Sequence, residues 1–229
     1  MKNLCILFSF LAFASSVPAA APSLDAFFDS FAAEWMRADP QEATIAQYFK
    51  DAEQDALDRQ LTPIDMEHRR ARVAAARRGL IELKKFDRAA FDEGQRISVA
   101  VFEWELDDIV RREPFEDYRF VFQQFRGLQA NLVTFLSQMH PIRNRRDIEN
   151  YLARLEQVTA RMDEGITQAH ERGDRGILPP RFILTATIDQ IGRFIASPPR
   201  ENVLVSSLDE RAAKLAEVSG AMRPRTAWS

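Results

Sequence analysis

Apolar residues recur every three or four positions through most of the chain, which is the spacing of an amphipathic α-helix. A first helix is marked by Ser23 as its cap and by an aromatic face: Phe27, Phe28, Phe31 and Trp35. The longest stripe lies in residues 145–172, in steps of four and three: Ile148, Leu152, Leu155, Thr159, Met162, Ile166 and Ala169. The pattern predicts an all-α fold, a bundle-like array of several helices.

Helix start signals divide the rest of the chain. Asp39-Pro40-Gln41-Glu42 combines a capping Asp, a Pro at the first helical position and a Glu three residues after the cap. Thr62-Pro63-Ile64-Asp65 repeats this order and predicts a helix to about Lys85. Ser207-Leu208-Asp209-Glu210 predicts another helix start, and Gly173 is placed where a left-handed residue would end the helix of residues 145–172.

Two further helices carry apolar faces. The helix from about Asp92 to Glu113 has three large apolar residues on one face: Ile97, Val101 and Trp104. The helix that opens after Pro179-Pro180 is expected to direct four apolar residues inward: Leu184, Ile188, Ile191 and Ile195.

Residues 115–126 break the helical spacing, because Tyr118, Phe120 and Phe122 alternate with Arg119, Val121 and Gln123. A period of two predicts an extended segment, which is either one strand or a packed loop. No second strand is evident in the sequence, so the fold class carries at most one short extended segment, at about 115–126.

Residues 1–21 have the three parts of a secretory signal peptide. Lys2 supplies the positive charge, Leu4 to Ala14 is apolar except for Ser9, and small residues follow at 17–21. The apolar run is shorter than the roughly 20 residues that span a bilayer. We therefore expect an exported bacterial protein, periplasmic or extracellular, with no stable membrane anchor once the signal is cleaved.

The bulk composition excludes some classes of function. The formal net charge of −3 becomes −4 once Lys2 is removed, and together with export this argues against a nucleic-acid partner. Cys5 is the single cysteine and would leave with the signal peptide, so the mature chain has neither a disulfide nor a thiolate ligand.

No catalytic or metal-binding constellation is evident in the sequence. The histidines are His68, His140 and His170, and none belongs to a His-Glu-x-x-His helix. The carboxylates of residues 103–108 are followed by Arg111 and Arg112 at helical spacing, which favours surface ion pairs over acid–base chemistry. We therefore predict no catalytic residue, no metal ligand and no cofactor in this chain.

The densest combination of aromatic, amide and basic residues lies in residues 118–146. These side chains could line a cleft for a peptide or a small anion; alternatively they belong to a packed loop and bond to the backbone. The binding hypothesis names six residues: Tyr118, Arg119, Gln124, His140, Arg143 and Asn144.

Several stretches in a fixed order resemble a known family. They include EWELDDI (103–109), FQQFRGLQANLVTFL (122–136), HPIRNRRDIENYLARL (140–155) and RGILPPRFIL (175–184), together with the aromatic first helix that ends at Asp39-Pro40. This order is similar to the N-terminal part of the bacterial DUF885 family, and the resemblance extends to about Val218.

The resemblance implies a suspected enzymatic activity for the family, which the residues of this chain alone do not indicate. Members of the family are mostly exported and helical, and longer than this chain. Their C-terminal part carries a helix of the type His-Glu-Ala-x-Pro-Gly-His-His, which resembles a zinc peptidase site and makes the family a suspected zinc-dependent hydrolase. No residue of that motif occurs here, so zinc is expected only in full-length relatives.

The end of the chain bears on this resemblance. Helical spacing stops near Val218, and residues 219–229 contain Gly220 and Pro224 without periodicity. We therefore divide the chain into a signal peptide (1–21), a helical domain (22–218) and an irregular tail (219–229). A frameshift or early stop after about Val218 would explain such a tail; a naturally short protein would also agree with these residues.

Two functional hypotheses follow from the sequence. The chain is either a truncated, non-catalytic N-terminal portion of a metallopeptidase-like protein, which helps to frame a substrate cleft, or a free-standing periplasmic helical module that binds a peptide or small anion. A truncated fold would expose apolar surface, so the first hypothesis also predicts self-association.

Overall fold

The computed structural model describes residues 23–215. The predicted signal peptide (1–21) and the predicted irregular tail (219–229) lie outside the described residues. Within residues 23–215 there are nine α-helices and no β-strand, which confirms the all-α class: α1 (Leu24–Arg37), α2 (Pro40–Ala46), α3 (Asp51–Asp58), α4 (Met66–Leu83), α5 (Glu93–Arg112), α6 (Leu128–Thr134), α7 (Arg145–Asp174), α8 (Arg181–Ala196) and α9 (Val203–Ala213).

One hydrophobic core lies between α1, α4 and α5. The aromatic face of α1 packs there as predicted, with the Phe27 and Phe31 rings at 5.7 and 4.8 Å from that of Phe102. Gly79 of α4 allows the close approach, because a Cβ there would lie 2.6 Å from Phe31 and 2.7 Å from Leu106. Aromatic packing and one small residue therefore hold these three helices together.

A second core surrounds the first half of α7. Its buried members come from α6, α7, α9, the π-helical turn Phe135–Met139 that continues α6, and the segment after α3: Leu61, Leu132, Phe135, Leu136, Tyr151 and Leu204. The Tyr151 hydroxyl donates a hydrogen bond of 2.7 Å to the Leu204 carbonyl, which fixes α9 to α7. The amino end of α7 is therefore surrounded by other helices.

Three of the predicted helix boundaries are wrong. Thr62 does not cap α4, which begins at Met66 after Asp65, because the Thr62 hydroxyl donates to Asp39 instead (2.6 Å). Ser207 lies inside α9, whose cap is Asn202. At the end of α7, the left-handed residue is Gly176 (φ 75°), three residues after Gly173. In each case another residue that can cap or end a helix lies within a few positions and takes that role.

The predicted apolar faces are only partly buried. On α5, Ile97, Val101 and Trp104 are 60, 56 and 59% exposed, because Val99, Phe102 and Leu106 on the opposite face supply the core contact. On α8, Ile188 and Ile195 are also exposed. Periodicity thus identified the shared faces of these helices but not which face packs inward.

Residues 115–126 form a packed loop rather than a strand. Glu113–Tyr118 is a 3₁₀ helix, and residues 119–127 run irregularly along the second half of α7. Gly165 of α7 permits this contact, because a Cβ there would lie 2.5 Å from Leu128 and 3.2 Å from Phe122. The loop alternative for this segment is therefore the one observed.

Candidate functional site

The helix α7 divides the six predicted binding residues into two groups. Its 30 residues extend about 45 Å. His140, Arg143 and Asn144 lie at its amino end, whereas the Arg119 carbonyl accepts a 2.6 Å hydrogen bond from Arg172, near its carboxyl end. Asn144 is therefore about 40 Å from the Arg119 carbonyl along α7. His140 bonds to Arg154, which lies about 27 Å before Arg172 on the helix, so the two groups do not line one cleft. Whether either group binds a ligand stays a prediction.

At the amino end, Arg143 and Asn144 hold the start of α7. The Asn144 side chain caps the helix by accepting from the Asp147 backbone N–H (3.1 Å). Asp147 also accepts from the Arg143 backbone N–H (2.7 Å) and from its guanidinium Nε (2.9 Å), while Arg143 Nη1 reaches Gln47 (2.7 Å). Both side chains are thus engaged within the fold.

His140 is buried and neutral, with only 1% of its surface exposed. Its Nδ1 lies 2.7 Å from Arg154, which can only donate, so Nδ1 accepts and Nε2 carries the proton that bonds to the Asp147 carbonyl (2.9 Å). Burial lowers the pKa of His140 to about 4, and the neighbouring Arg154 charge adds to the effect.

Arg154, which the sequence analysis did not single out, organises this end of α7. It is 0% exposed. Besides His140 it bonds to four oxygens: Gln60 O (2.8 Å), Thr44 Oγ1 (2.6 Å), Leu57 O (3.0 Å) and Pro40 O (3.3 Å). The Thr44 hydroxyl lies 2.6 Å from the Asp58 carboxylate, which supplies the nearest opposite charge. We call Arg154, His140, Thr44 and Asp58 the buried arginine network; its polar groups bond to one another and to backbone, as expected of a structural element.

At the carboxyl end, two guanidiniums converge, of which Arg172 is buried and Arg69 is half-buried. Arg69 Nη2 of α4 and Arg172 Nη2 of α7 both approach the Gln168 amide oxygen, at 2.8 and 3.5 Å. The nearby carboxylates are engaged with other residues: Asp117 with Arg175 (2.7 Å) and Glu116 with Arg119 (3.5 Å). Burial lowers the pKa of Arg69 and of Arg172. The two guanidiniums therefore form no ion pair with a carboxylate of residues 23–215.

Buried amide oxygens without a partner lie in the loop of residues 119–127 and in the first turn of α6. The side-chain oxygens of Gln124 and Gln129 are inaccessible to solvent, and no group in the described part of the chain donates to them. Gln190 of α8 joins these residues, since it donates to the Gln124 carbonyl (3.3 Å) and accepts from Gln129 Nε2 (3.1 Å). We call Arg69, Gln168, Arg172, Gln124 and Gln129 the arginine–glutamine site.

The two parts of this site are close together along α7. Residues 121–128 pack at Gly165, and the arginines lie one to two turns further on at Gln168 and Arg172. Seven residues of helix separate Gly165 from Arg172, a rise of about 10 Å. Tyr118 and Arg119, two of the predicted binding residues, are exposed beside the arginines, and Gln124 belongs to the site itself.

Comparison with known proteins assigns the chain to a family. The family described as "Bacterial protein of unknown function (DUF885)" matches residues 40–227. The chain belongs to the DUF885 family. The match begins at Pro40, the first residue of α2, and includes both the buried arginine network and the arginine–glutamine site. No curated protein and no solved structure matches this chain.

In the DUF885 chain, a recess also lies between α1 and α4. It is about 160 Å³ in volume and is lined by Phe31, Trp35, His68 and Arg72 among others. The Arg72 guanidinium lies 3.4 Å from the centre of the Trp35 ring and donates to the Trp35 carbonyl (2.7 Å). Because Arg72 is engaged with Trp35 and Arg78 with Glu34, this recess is a weaker candidate for ligand binding than the arginine–glutamine site.

Within residues 23–215 of this DUF885 chain, no three His, Cys, Asp or Glu side chains come together as ligands for a metal ion. Likewise, none of the helices in that range is both long enough and apolar enough to cross a bilayer.

Proposed function

We propose that this chain binds short peptides at the arginine–glutamine site and thereby contributes one wall of a substrate cleft. The proposal rests on one observation: two guanidiniums without a carboxylate partner, one buried and one half-buried, lie beside two buried amide oxygens without a donor. Buried amide oxygens without a donor cost stability, and a ligand that supplies the donor removes that cost.

The combination of groups favours a peptide over a simple anion. A carboxylate would satisfy Arg69 and Arg172, since guanidinium and carboxylate form strong, charge-assisted hydrogen bonds. The amide oxygens of Gln124 and Gln129 instead need N–H donors, which a peptide backbone supplies and an inorganic anion does not. About 10 Å separates the two parts, which is the length of roughly three extended residues. A peptide carboxyl end would therefore reach both.

The role assigned to residues 23–215 is binding and not hydrolysis. In longer relatives of the peptidase-like kind, the His-Glu-Ala-x-Pro-Gly-His-His helix would supply the zinc chemistry, and this helical portion would hold the substrate. The family match supports that context only as far as membership of DUF885. The proposed role is the same whether the chain acts as a free-standing module or beside a catalytic partner.

Isothermal titration with three probes tests the proposal: N-acetyl-trialanine as the free acid, the same peptide as its C-terminal amide, and acetate. The free acid should bind at least 10-fold more tightly than the amide and than acetate. Replacing Arg172 by Met should raise the dissociation constant of the free acid 10-fold or more. Arg145→Met, at the exposed amino end of the same helix, is the matched control and should change nothing.

The possible outcomes separate the candidate ligands. Equal binding of acetate and the free acid would identify a small-anion site instead of a peptide site. Equal binding of the acid and its amide, or an Arg172→Met variant that binds as the parent does, would overturn the proposal. Gln124→Met is a second variant that leaves the arginines in place. It should weaken the binding of the two peptide probes and leave the binding of acetate unchanged.

A further inference from the structure

The recess between α1 and α4 has mostly apolar walls and the volume of a small aromatic molecule. The Phe31 and Trp35 rings of α1 contribute to its lining, stacked on each other with their centres 5.6 Å apart. Three alanines, Ala38, Ala71 and Ala75, also line it and leave space that larger side chains would fill. Its volume of about 160 Å³ is close to the roughly 150 Å³ of an apolar cavity that binds benzene. An aromatic ring therefore fits the recess in size and in polarity.

The two arginines that line the recess are both engaged with α1. Arg72 lies over the Trp35 ring and donates to the Trp35 carbonyl, and Arg78 forms an ion pair with Glu34. These contacts balance each positive charge locally, through the ring in one case and a carboxylate in the other, so the recess is poorly suited to an anion. A neutral ligand would leave both contacts in place. The class of ligand that fits is therefore uncharged.

His68 adds a polar side chain to this apolar lining. The residue is half-buried in the first turn of α4, and neither nitrogen of its ring bonds to another group of residues 23–215. Burial lowers the pKa of His68, and the Arg72 charge adds to the effect, so the ring is neutral at pH 7. A neutral imidazole has one nitrogen that accepts a hydrogen bond and one that donates. A hydroxyl group on a bound ring would therefore find a partner here.

We propose that this recess binds a small phenolic compound, with the ring against Phe31 and Trp35 and the hydroxyl group bonded to His68. Contact between aromatic rings supplies most of the affinity, because it adds to the burial of apolar surface. The hydrogen bond supplies the preference for a phenol over a plain ring. The lining of the recess includes no residue of the arginine–glutamine site, so the inference does not depend on the proposed peptide binding.

Titration with phenol tests the site, followed by nuclear magnetic resonance of the indole N–H groups in the chain as cells process it. The Trp35 signal should shift until it saturates, with a dissociation constant on the order of 1 mM. The signal of Trp104, which is exposed on α5, should not move. Trp35→Phe and Trp104→Phe assign the two signals.

Two leucine variants of α4 show whether phenol occupies the recess. Ala71→Leu places a larger side chain in it and should weaken phenol binding by about 10-fold or more. Ala74→Leu is the matched control, because it adds the same side chain at another exposed position of α4 that does not line the recess. It should leave phenol binding unchanged.

Benzene as a second probe tests the hydrogen bond. His68→Leu keeps an apolar contact and removes the bond, so phenol binding should weaken by about 5-fold while benzene binding is unchanged or tighter. N-acetyltyrosinamide separates two sources of the ring. Binding as tight as that of phenol would assign the recess to a tyrosine side chain of a peptide, and weaker binding would assign it to a free phenol.

Three results would overturn the proposal. The first is a Trp35 signal that does not move toward saturation at about 10 mM phenol, roughly tenfold above the expected dissociation constant. The second is equal weakening of phenol binding by Ala71→Leu and Ala74→Leu. The third is a His68→Leu variant that loses as much affinity for benzene as for phenol, since His68 would then act through the shape of the recess alone.

Discussion

Arg154 and Arg172 are both nearly buried on α7, about five turns apart, yet their surroundings differ. Arg154 bonds to five acceptors: His140 Nδ1, which precedes α7, and four oxygens from α2, α3 and the segment after α3. Arg172 bonds to two, the Arg119 carbonyl and the Gln168 amide oxygen, and shares the second with Arg69. Arg154 therefore has nearly all of its N–H donors hydrogen-bonded, whereas most N–H donors of Arg172 have no partner within residues 23–215.

This difference separates two uses of a buried cation. A guanidinium has five N–H donors, and burying it is tolerated when each finds an acceptor. Arg154 nearly meets that condition and ties α2 and α3 to α7. Arg172 does not, so the carboxyl end of α7 keeps polar groups that a ligand can satisfy. Changes at the first end should alter stability, and changes at the second should alter binding.

The largest effect is expected from Arg154→Met. The change leaves His140 Nδ1, Thr44 and three carbonyls without their donor, so we expect the free energy of unfolding to fall by about 3–5 kcal/mol. Urea denaturation followed by circular dichroism measures it. Arg145→Met, an exposed position on the same helix, should cost less than about 0.5 kcal/mol. A loss below 1 kcal/mol for Arg154→Met would remove the distinction between the two ends.

The next effect is the pH dependence of stability that His140 confers. The unfolded chain takes up a proton on this residue near pH 6.5, whereas burial lowers the pKa in the folded chain to about 4. The contribution is therefore complete above pH 6.5 and is lost progressively as the pH falls to 4, by up to about 3 kcal/mol. His140→Gln cannot titrate, so its free energy of unfolding should change less between pH 6.5 and 4. Parallel profiles for the two proteins would show that His140 is not buried neutral.

The sequence predicted where the helices lie, but it did not predict which face of each helix packs against its neighbours. The aromatic face of Phe27 and Phe31, the Asp39 cap and the ion pairs of Asp107 with Arg111 and Asp108 with Arg112 are all present as predicted. These features depend on residues within a few turns of one another. Which face of α5 packs inward depends on the side chains of α1 and α4 that contact it. The spacing of apolar residues within α5 alone does not predict that contact.

The candidate site could be predicted only in part for the same reason. Residues 118–146 are close in sequence, but α6 and the long helix α7 carry their two ends about 40 Å apart. The burial of Arg154 could not be predicted, because a single Arg in a helical pattern is usually on the solvent-exposed side. Arg69 and Gln168 are 99 positions apart, so only the tertiary structure brings them together.

A smaller effect should come from Gly165→Ala, which tests whether residues 121–128 are seated on α7. The new methyl group would overlap Leu128 and press on Phe122, so the loop must shift, at a cost of about 1–3 kcal/mol. Gly192→Ala in α8 is the matched control: nothing lies within 4 Å of that position, and Ala should stabilise the helix by about 0.5–1 kcal/mol. Thermal melts of both variants should therefore shift in opposite directions, and equal shifts would contradict the close contact at Gly165.

The smallest effect on stability, and the one that bears most directly on the two ends of α7, is expected from Gln124→Met. The side-chain oxygen of Gln124 is buried without a donor, so replacing the amide by an apolar group of similar length should be neutral or stabilise the fold by up to about 1 kcal/mol. Gln157→Met on α7 is the matched control, because its oxygen accepts from Leu61 N–H (3.1 Å) and its nitrogen donates to the Arg59 and Ala153 carbonyls (2.7 Å each). That variant should lose about 1–2 kcal/mol, as expected when buried partners are left unpaired. If Gln124→Met destabilises the chain as much as Gln157→Met does, the amide is a structural group like Arg154, and the carboxyl end of α7 is no more available to a ligand than the amino end.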